Sequence, residues 1–291
     1  MEYIVYKLKN KREILFMIKI ICDSMVDIPK EIIEKYDIEV VPLTVIFNGV
    51  EYIDGIDIKN KEFYKMLRES DYMPKTSQVT YTQFKDVFER YKDEDVLYIG
   101  GSSSASGTYQ SAVLAKNDGY ENVHVFDTQN LSLGSALFLI NACEMREKGY
   151  SIEKIMDNLN LLKGTEEVLV SVDTLEYLKM GGRISSTKAM LGSLLNVKPI
   201  LCVENGLVAQ KSQVRGKKNI YSTLIKGIAD KYKDDLENRT VILGFGDNEE
   251  DLEILKNRLI QEYKVKNLYC VNIGCGICSH IGPGVLAISC M

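Results

Sequence analysis

The chain has 291 residues, 45% of them hydrophobic and 26% charged, with a formal net charge of −5. That length holds one large or two ordinary domains, and the acidic balance gives no electrostatic case for nucleic acid as the main partner. No apolar run is long enough to cross a membrane, and the seven cysteines, odd in number and mostly inside apolar runs, suit a reducing cytoplasm better than a disulfide framework.

At the N-terminus Lys7, Lys9, Lys11 and Arg12 precede the apolar run Ile14–Cys22, superficially like a secretory signal. Lys19 interrupts that run, Asp23 follows it, and no small-residue cleavage site comes after. Ile18–Cys22 therefore reads as a first strand, and residues 1–16 as an extension outside the fold. Pro29 suits a helix start, and Ile32, Ile33 and Tyr36 keep helical spacing. Val40–Phe47 reads as one strand, turned by Asn48-Gly49 into Glu51–Ile53. Helices are expected around Phe63, Met66 and Leu67 and around Phe84, Val87 and Tyr91. Between them Thr76, Ser77 or Thr80 could cap the second helix, or Thr76 and Ser77 could belong to a hydroxyl cluster.

Val96–Ile99 reads as a buried strand. It feeds a Ser/Gly-rich turn, Gly100 to Gly107, and then a helix from about Ser106. Such a turn aims free backbone N–H groups, the hydroxyls of Ser103 and Ser106, and a helix dipole at one spot that suits a phosphate, sulfate or carboxylate. Val123–Phe126 is a further strand in which His124 reads as structural. Leu133–Met145 and Ile152–Leu161 read as helices. This alternation predicts an α/β fold whose first half is a mostly parallel sheet flanked by helices, with ligands beyond the carboxyl ends of the strands.

After the Lys163-Gly164 break, Val168–Val172 reads as a strand and Thr174–Met180 as a helix that stops at Gly181-Gly182, leaving Arg183 in a loop. Lys198–Val203 and Leu207–Lys211 flank the hairpin turn Glu204-Asn205-Gly206. Ile220–Tyr232 and Leu252–Tyr263 read as helices, and Val241–Phe245, Leu268–Ile273 and Val285–Ser289 as strands. The second half is thus α+β with a mixed sheet. The expected domains are 17–163 and 164–291.

Three features bear on chemistry. An arginine such as Arg183 offers several donors to a carboxylate or phosphate. His280, one of two histidines, falls in a Gly/Pro-rich turn between two strands and is available for hydrogen bonding or proton transfer. Cys275-Gly276-Ile277-Cys278 has the spacing of half a zinc site but no second pair to complete it. Dinucleotide, P-loop, nucleophile-elbow and zinc-protease templates are absent. Only His280 could act as base for a serine, which favours a site that grips an anion over one that hydrolyses.

The ordered set Ile20-Ile21-Cys22-Asp23-Ser24, Asp54-Gly55-Ile56-Asp57, Lys75-Thr76-Ser77-Gln78, Ser102 to Ala112, Gly182-Arg183-Ile184-Ser185, Lys198-Pro199-Ile200-Leu201 and His280-x-Gly282-Pro283-Gly284 resembles the DegV family, the fatty-acid-binding subunits of bacterial fatty acid kinase systems. The resemblance runs from about Met17 to Met291. It implies a two-domain α/β protein that buries one long-chain fatty acid between its domains. It also implies a carboxylate site at Thr76 and Ser106, with Arg183 and His280 nearby and Ser77, Ser103 and Gly107 in support. Arg215 matches a family arginine linked to docking the kinase catalytic subunit. On this reading the chain is not itself an enzyme and needs no cofactor or metal beyond the fatty acid it carries. It is cytoplasmic and makes at most transient membrane contact. Two other readings stay open: a serine hydrolase of acyl esters using Ser106 or Ser103 with His280, and a small-anion binding module that never holds lipid.

Overall fold

The computed structural model describes residues 18–185 and 197–291. The expected extension 1–16 lies outside them. Strand β1 (Ile18–Asp23) is buried along its whole length, Lys19 and Asp23 included, as its largely apolar sequence suits a strand covered on both faces. It is flanked by β2 (Glu39–Val41) and β6 (Asp95–Gly100), and β6 pairs with β7 (Val123–Asp127), all in parallel. Helix α1 (Lys30–Tyr36) starts after Pro29, as expected.

The expected single strand Val40–Phe47 is two. Pro42, which lacks an N–H and so cannot continue a ladder, separates β2 from β3 (Thr44–Phe47). β3 leaves the parallel sheet for a small antiparallel one, ordered β4-β3-β5, with β4 (Val50–Ile53) and β5 (Lys75–Ser77). Asn48 and Gly49 turn β3 into β4 with φ of 49° and 79°, the pattern of a tight hairpin turn.

Helices α2 (Asn60–Glu69) and α3 (Tyr81–Arg90) follow β4 and β5. Thr80 caps α3 in a reciprocal box with Gln83, so of the three expected caps Thr80 is the one used. Thr76 instead lies within β5, opposite Val45. Helix α4 (Thr108–Asn117) begins two residues after the expected start, with Gly107 at its N-cap. Helices α5 (Leu133–Glu147) and α6 (Ile152–Leu162) complete the first half.

The second half builds a six-stranded mixed sheet, ordered β10-β9-β8-β13-β11-β12. Its strands are β8 (Glu167–Ser171), β9 (Val197–Glu204), β10 (Leu207–Arg215), β11 (Thr240–Phe245), β12 (Asn267–Asn272) and β13 (Leu286–Cys290). Among the described residues of these strands, only β11 and β12 pair in parallel. Helices α7 (Glu176–Gly181), α8 (Lys217–Tyr232) and α9 (Glu249–Tyr263) accompany them.

The segment expected as a turn around His280 is a helix, α10 (Cys275–Ile281), ended by Gly282 at φ 79° and Pro283. A glycine and a proline just past the last turn are ordinary helix stops. Although it lies in the second half of the chain, α10 packs against α2, β3 and β5. One buried apolar cluster accordingly joins Ile20, Leu97 and Phe138 of the first half to Ile242, Ile273 and Val285 of the second.

Candidate ligand-binding site

Strand pleating sends alternate side chains to the same face of a sheet. Val168 and Val170 of β8, Leu201 and Val203 of β9, and Val285 and Ala287 flanking or within β13 share the face turned toward the first half of the chain, where they wall a cavity of about 420 Å³. That volume is ordinary for a small-molecule site, about 300–1,000 Å³. Leu133 and Ile277 add further apolar wall. The polar lining comes from Thr76, Ser77, Gln78, Ser106, Gly107, Arg183 and His280.

Those polar groups are tied together. His280 Nε2 and Thr76 Oγ1 are 2.9 Å apart. Arg183 donates from Nε to the Ala105 carbonyl at 3.1 Å and from Nη1 to the Gly181 carbonyl at 2.5 Å. Its backbone is held too, since Val208 N–H donates to the Arg183 carbonyl and Ser185 N–H to that of Val208. Gln78 Nε2 donates to the Gly107 carbonyl at 3.3 Å and to Ser111 Oγ at 2.9 Å. The arginine expected in an open loop is therefore fixed across the two halves.

Burial, and then the positive charge of Arg183, push the His280 imidazole down to about 4, so the ring is neutral at pH 7. Its buried Nδ1 has no partner among the described residues. Gly181 closes that side, for a Cβ added there would stand 2.4 Å from Nδ1. A buried N–H without an acceptor is rarer and costlier than a bare acceptor. The proton therefore sits on Nε2 and is donated to Thr76 Oγ1. This leaves the Thr76 hydroxyl proton for another acceptor.

Ser106 Oγ accepts from Thr108 N–H at 3.2 Å and lies 3.0 Å from Thr108 Oγ1. Thr108 Oγ1 itself accepts from Val79 N–H. The preceding turn departs from expectation in one respect. Four of its N–H groups are not free: Ser103 N–H donates to Asp127, that of Ser104 to Ser102 Oγ, and those of Ala105 and Ser106 to the Ser102 carbonyl. The site therefore draws on side-chain donors in place of those four N–H groups. Ser103 is not on the cavity wall, and Arg215, exposed at the end of β10, is also away from it.

Cys275 and Cys278 are unlinked and buried, and burial pushes both thiols well above their usual range. Such thiols are poor nucleophiles and ligands. Among the described residues no three His, Cys, Asp or Glu side chains are grouped to hold a metal ion, and no helix is long and apolar enough to cross a membrane. Sequence reasoning passed over Gln78, which was quoted in a motif without a role. It also gave no role to Asp27, Asp54 and Ser132, whose contacts converge on α10.

A family model described as "Uncharacterised protein, DegV family" matches residues 17–291. The chain belongs to the DegV family. A DegV domain-containing protein of Caldanaerobacter subterraneus subsp. tengcongensis is 38% identical, over 93% of this chain and 97% of its own length. A DegV relative from Thermotoga maritima named as a fatty acid-binding protein is 35% identical, over 92% of this chain and 96% of its own. The fold matches the solved structure of a fatty-acid-binding DegV family protein from Thermus thermophilus with a TM-score of 0.87 at 32% identity, covering 94% of this chain and 99% of that one. It also matches DegV of Bacillus subtilis, described as a fatty acid binding protein, with a TM-score of 0.84 at 30% identity, covering 95% and 99%. Fatty-acid binding is thus a recurring property of DegV relatives across the full length shared with this chain.

Proposed function

We propose that this DegV protein binds one long-chain fatty acid and presents its carboxylate to a separate ATP-using kinase subunit. The tail lies along the apolar strands, and the head group is held by Thr76, Ser106, Arg183 and His280, with Ser77 and Gly107 beside them. The observation that carries the reading is one apolar cavity whose polar lining sets His280 Nε2 2.9 Å from Thr76 Oγ1; the tautomer inferred for the neutral ring leaves that hydroxyl a proton to donate. Ser106 Oγ already accepts from Thr108 N–H, and its own proton can turn to the ligand when the neighbouring Thr108 hydroxyl serves as the donor between them. A buried carboxylate needs several such donors, because leaving it unpaired is expensive. Arg183 supplies the compensating charge.

The magnitudes assign separate roles to tail and head. Burial of about fourteen methylenes at about 0.8 kcal/mol each gives roughly 11 kcal/mol gross, reduced by association and ordering costs. Tail burial dominates affinity, and the hydroxyls set orientation. The hydrolase reading is weaker, because His280 Nε2 engages Thr76 and Ser106 Oγ engages Thr108, so neither is spent on a serine–base pair. The full names of relatives such as the Thermotoga fatty acid-binding protein support binding over the bare-anion reading.

Native mass spectrometry of the purified protein tests the proposal, with a co-purified fatty acid as the expected result. An empty or phosphate-bound protein that also rejects added palmitate would overturn it. Thr76→Ala with Ser106→Ala removes two hydrogen bonds to a charged group, each worth about 1.5–3 kcal/mol. The double variant should fold normally and bind palmitate at least a hundredfold more weakly in titration calorimetry. Unchanged affinity would remove both hydroxyls from the site.

A further inference from the structure

The first turn of α10 is held by two buried carboxylates from the other half of the chain. Gly274 N–H donates to Asp27 Oδ1 at 2.7 Å, and Gly276 N–H donates to Asp54 Oδ2 at 3.2 Å. Each carboxylate is also tied to a serine: Ser132 Oγ donates to Asp27 Oδ2 at 2.5 Å, and Ser24 Oγ to Asp54 Oδ2 at 2.8 Å. Both Asp27 and Asp54 are nearly inaccessible, at 5% and 6% exposure, and neither forms an ion pair among the described residues. Two carboxylates placed side by side in a protein interior without a cation are costly, so this arrangement calls for a reason.

The glycines show how close the approach is. A Cβ on Gly274 would stand 3.0 Å from Asp27 Oδ1 and 3.8 Å from Asp54 Oδ2, and one on Gly276 would stand 2.9 Å from Asp54 Oδ2. Ser132, which reaches Asp27, holds φ 51° and ψ −122°, a conformation that side-chain-bearing residues rarely adopt and that only surrounding contacts can sustain. Ser132 and Gly276 both line the ligand cavity. At the far end of the same seven-residue helix, His280 meets Thr76.

We propose that Asp27 and Asp54 are positioning residues of the head-group site, fixing α10 so that His280 Nε2 faces Thr76. The pair works from behind the helix and touches no ligand. The titratable groups facing Asp27 are Asp54, Asp23, Tyr64, Cys275 and Cys278, all acids. Burial, and secondarily the neighbouring acids, raise Asp27 to about 7, and burial raises Asp54 as well. The effect on fatty-acid affinity rests on the function proposed above; the orientation of His280 does not, since it is a property of the ligand-free protein.

Imidazole ¹⁵N NMR in a His124→Gln background, where His280 is the one remaining histidine, reads the tautomer directly. Asp27→Ala and Asp54→Ala should convert a fixed Nε2-protonated signature into an averaged one and weaken palmitate binding at least tenfold. Asp27→Asn and Asp54→Asn keep an acceptor oxygen for the glycine N–H and should stay within about threefold of the parent in affinity, with the signature retained. If the alanine variants fail to fold, Ser132→Ala and Ser24→Ala strip one donor from each carboxylate and are read in the same way. An unchanged signature in folded variants overturns the proposal, even if palmitate binding falls. A changed signature in a protein whose parent never binds palmitate upholds the positioning role and sinks the fatty-acid reading instead.

Discussion

Burial and the charge of Arg183 hold the folded-state His280 imidazole near 4, against about 6.5 in an unfolded chain. A pKa lowered by folding means that the unfolded state takes up protons first. Stability from this group is complete above about pH 6.5 and is lost as pH falls through 4. The loss amounts to about 2 kcal/mol by pH 5. Asp27 runs the other way, since its raised value removes stability as pH climbs from about 4 through 7. A difference between two proteins isolates the histidine. His280→Gln should therefore lose less stability than the parent between pH 7 and pH 5 in urea unfolding. Parallel curves would show that His280 is not held neutral by the fold. The chemistry of Thr76, Ser106 and Arg183 was legible in the sequence as residue type, and the resemblance named these positions. The Thr76–His280 bond was not legible, because 204 residues separate its partners and only packing decides such a contact.

Among the elements, the signals that held were local ones. Asn48-Gly49 and Asn205-Gly206 both turn hairpins with positive φ at both residues, as the demands of a two-residue turn dictate. The Thr80–Gln83 box starts α3. It is surface chemistry away from the cavity wall, so Thr80→Ala should lower stability by about 1 kcal/mol and leave palmitate affinity unchanged. A drop in affinity would mean that α3 is coupled to the site. The elements misread were those whose neighbours override local pattern. Val40–Phe47 has an unbroken strand composition apart from Pro42, and that single missing N–H sends its two ends into different sheets. Gly274 to Gly284 reads as loop by composition, yet the carboxylates of Asp27 and Asp54 meet N–H groups at the start of α10, which a helix otherwise leaves unpaired.

At the scale of the whole molecule, the two halves share one apolar cluster and several polar ties. Arg68 on α2 grips Asp247 through Nε and Nη2, at 2.7 and 3.0 Å, and reaches Asp173 at 2.9 Å. These groups are about half exposed, so the tie adds about 1 kcal/mol or less and the shared core does most of the joining. Unfolding should therefore follow a single transition, coincident by circular dichroism and by tyrosine fluorescence. Two separated transitions would show that the halves fold independently. For the proposed kinase partnership, Arg215 is exposed at the end of β10, whose Val208 lines the cavity. Arg215→Ala should leave palmitate binding intact and slow acyl-phosphate formation with the kinase subunit. Equal turnover would take Arg215 off the docking surface.

The sequence by itself determined what is written in short-range chemistry: buried parallel strands as apolar runs, hairpins as Asn-Gly pairs, and the ordered motifs that mark a DegV chain. Tertiary structure alone decided what those motifs do to one another. The side chains of β5, the β6–α4 turn, the segment after α7, and α10 meet only because α5 packs against strands of both the parallel and the mixed sheet while α10 packs against β3 and β5. Hydrogen bonds and ionisation respond to distance in space, through burial and neighbouring charge, and spacing along the chain does not carry that information.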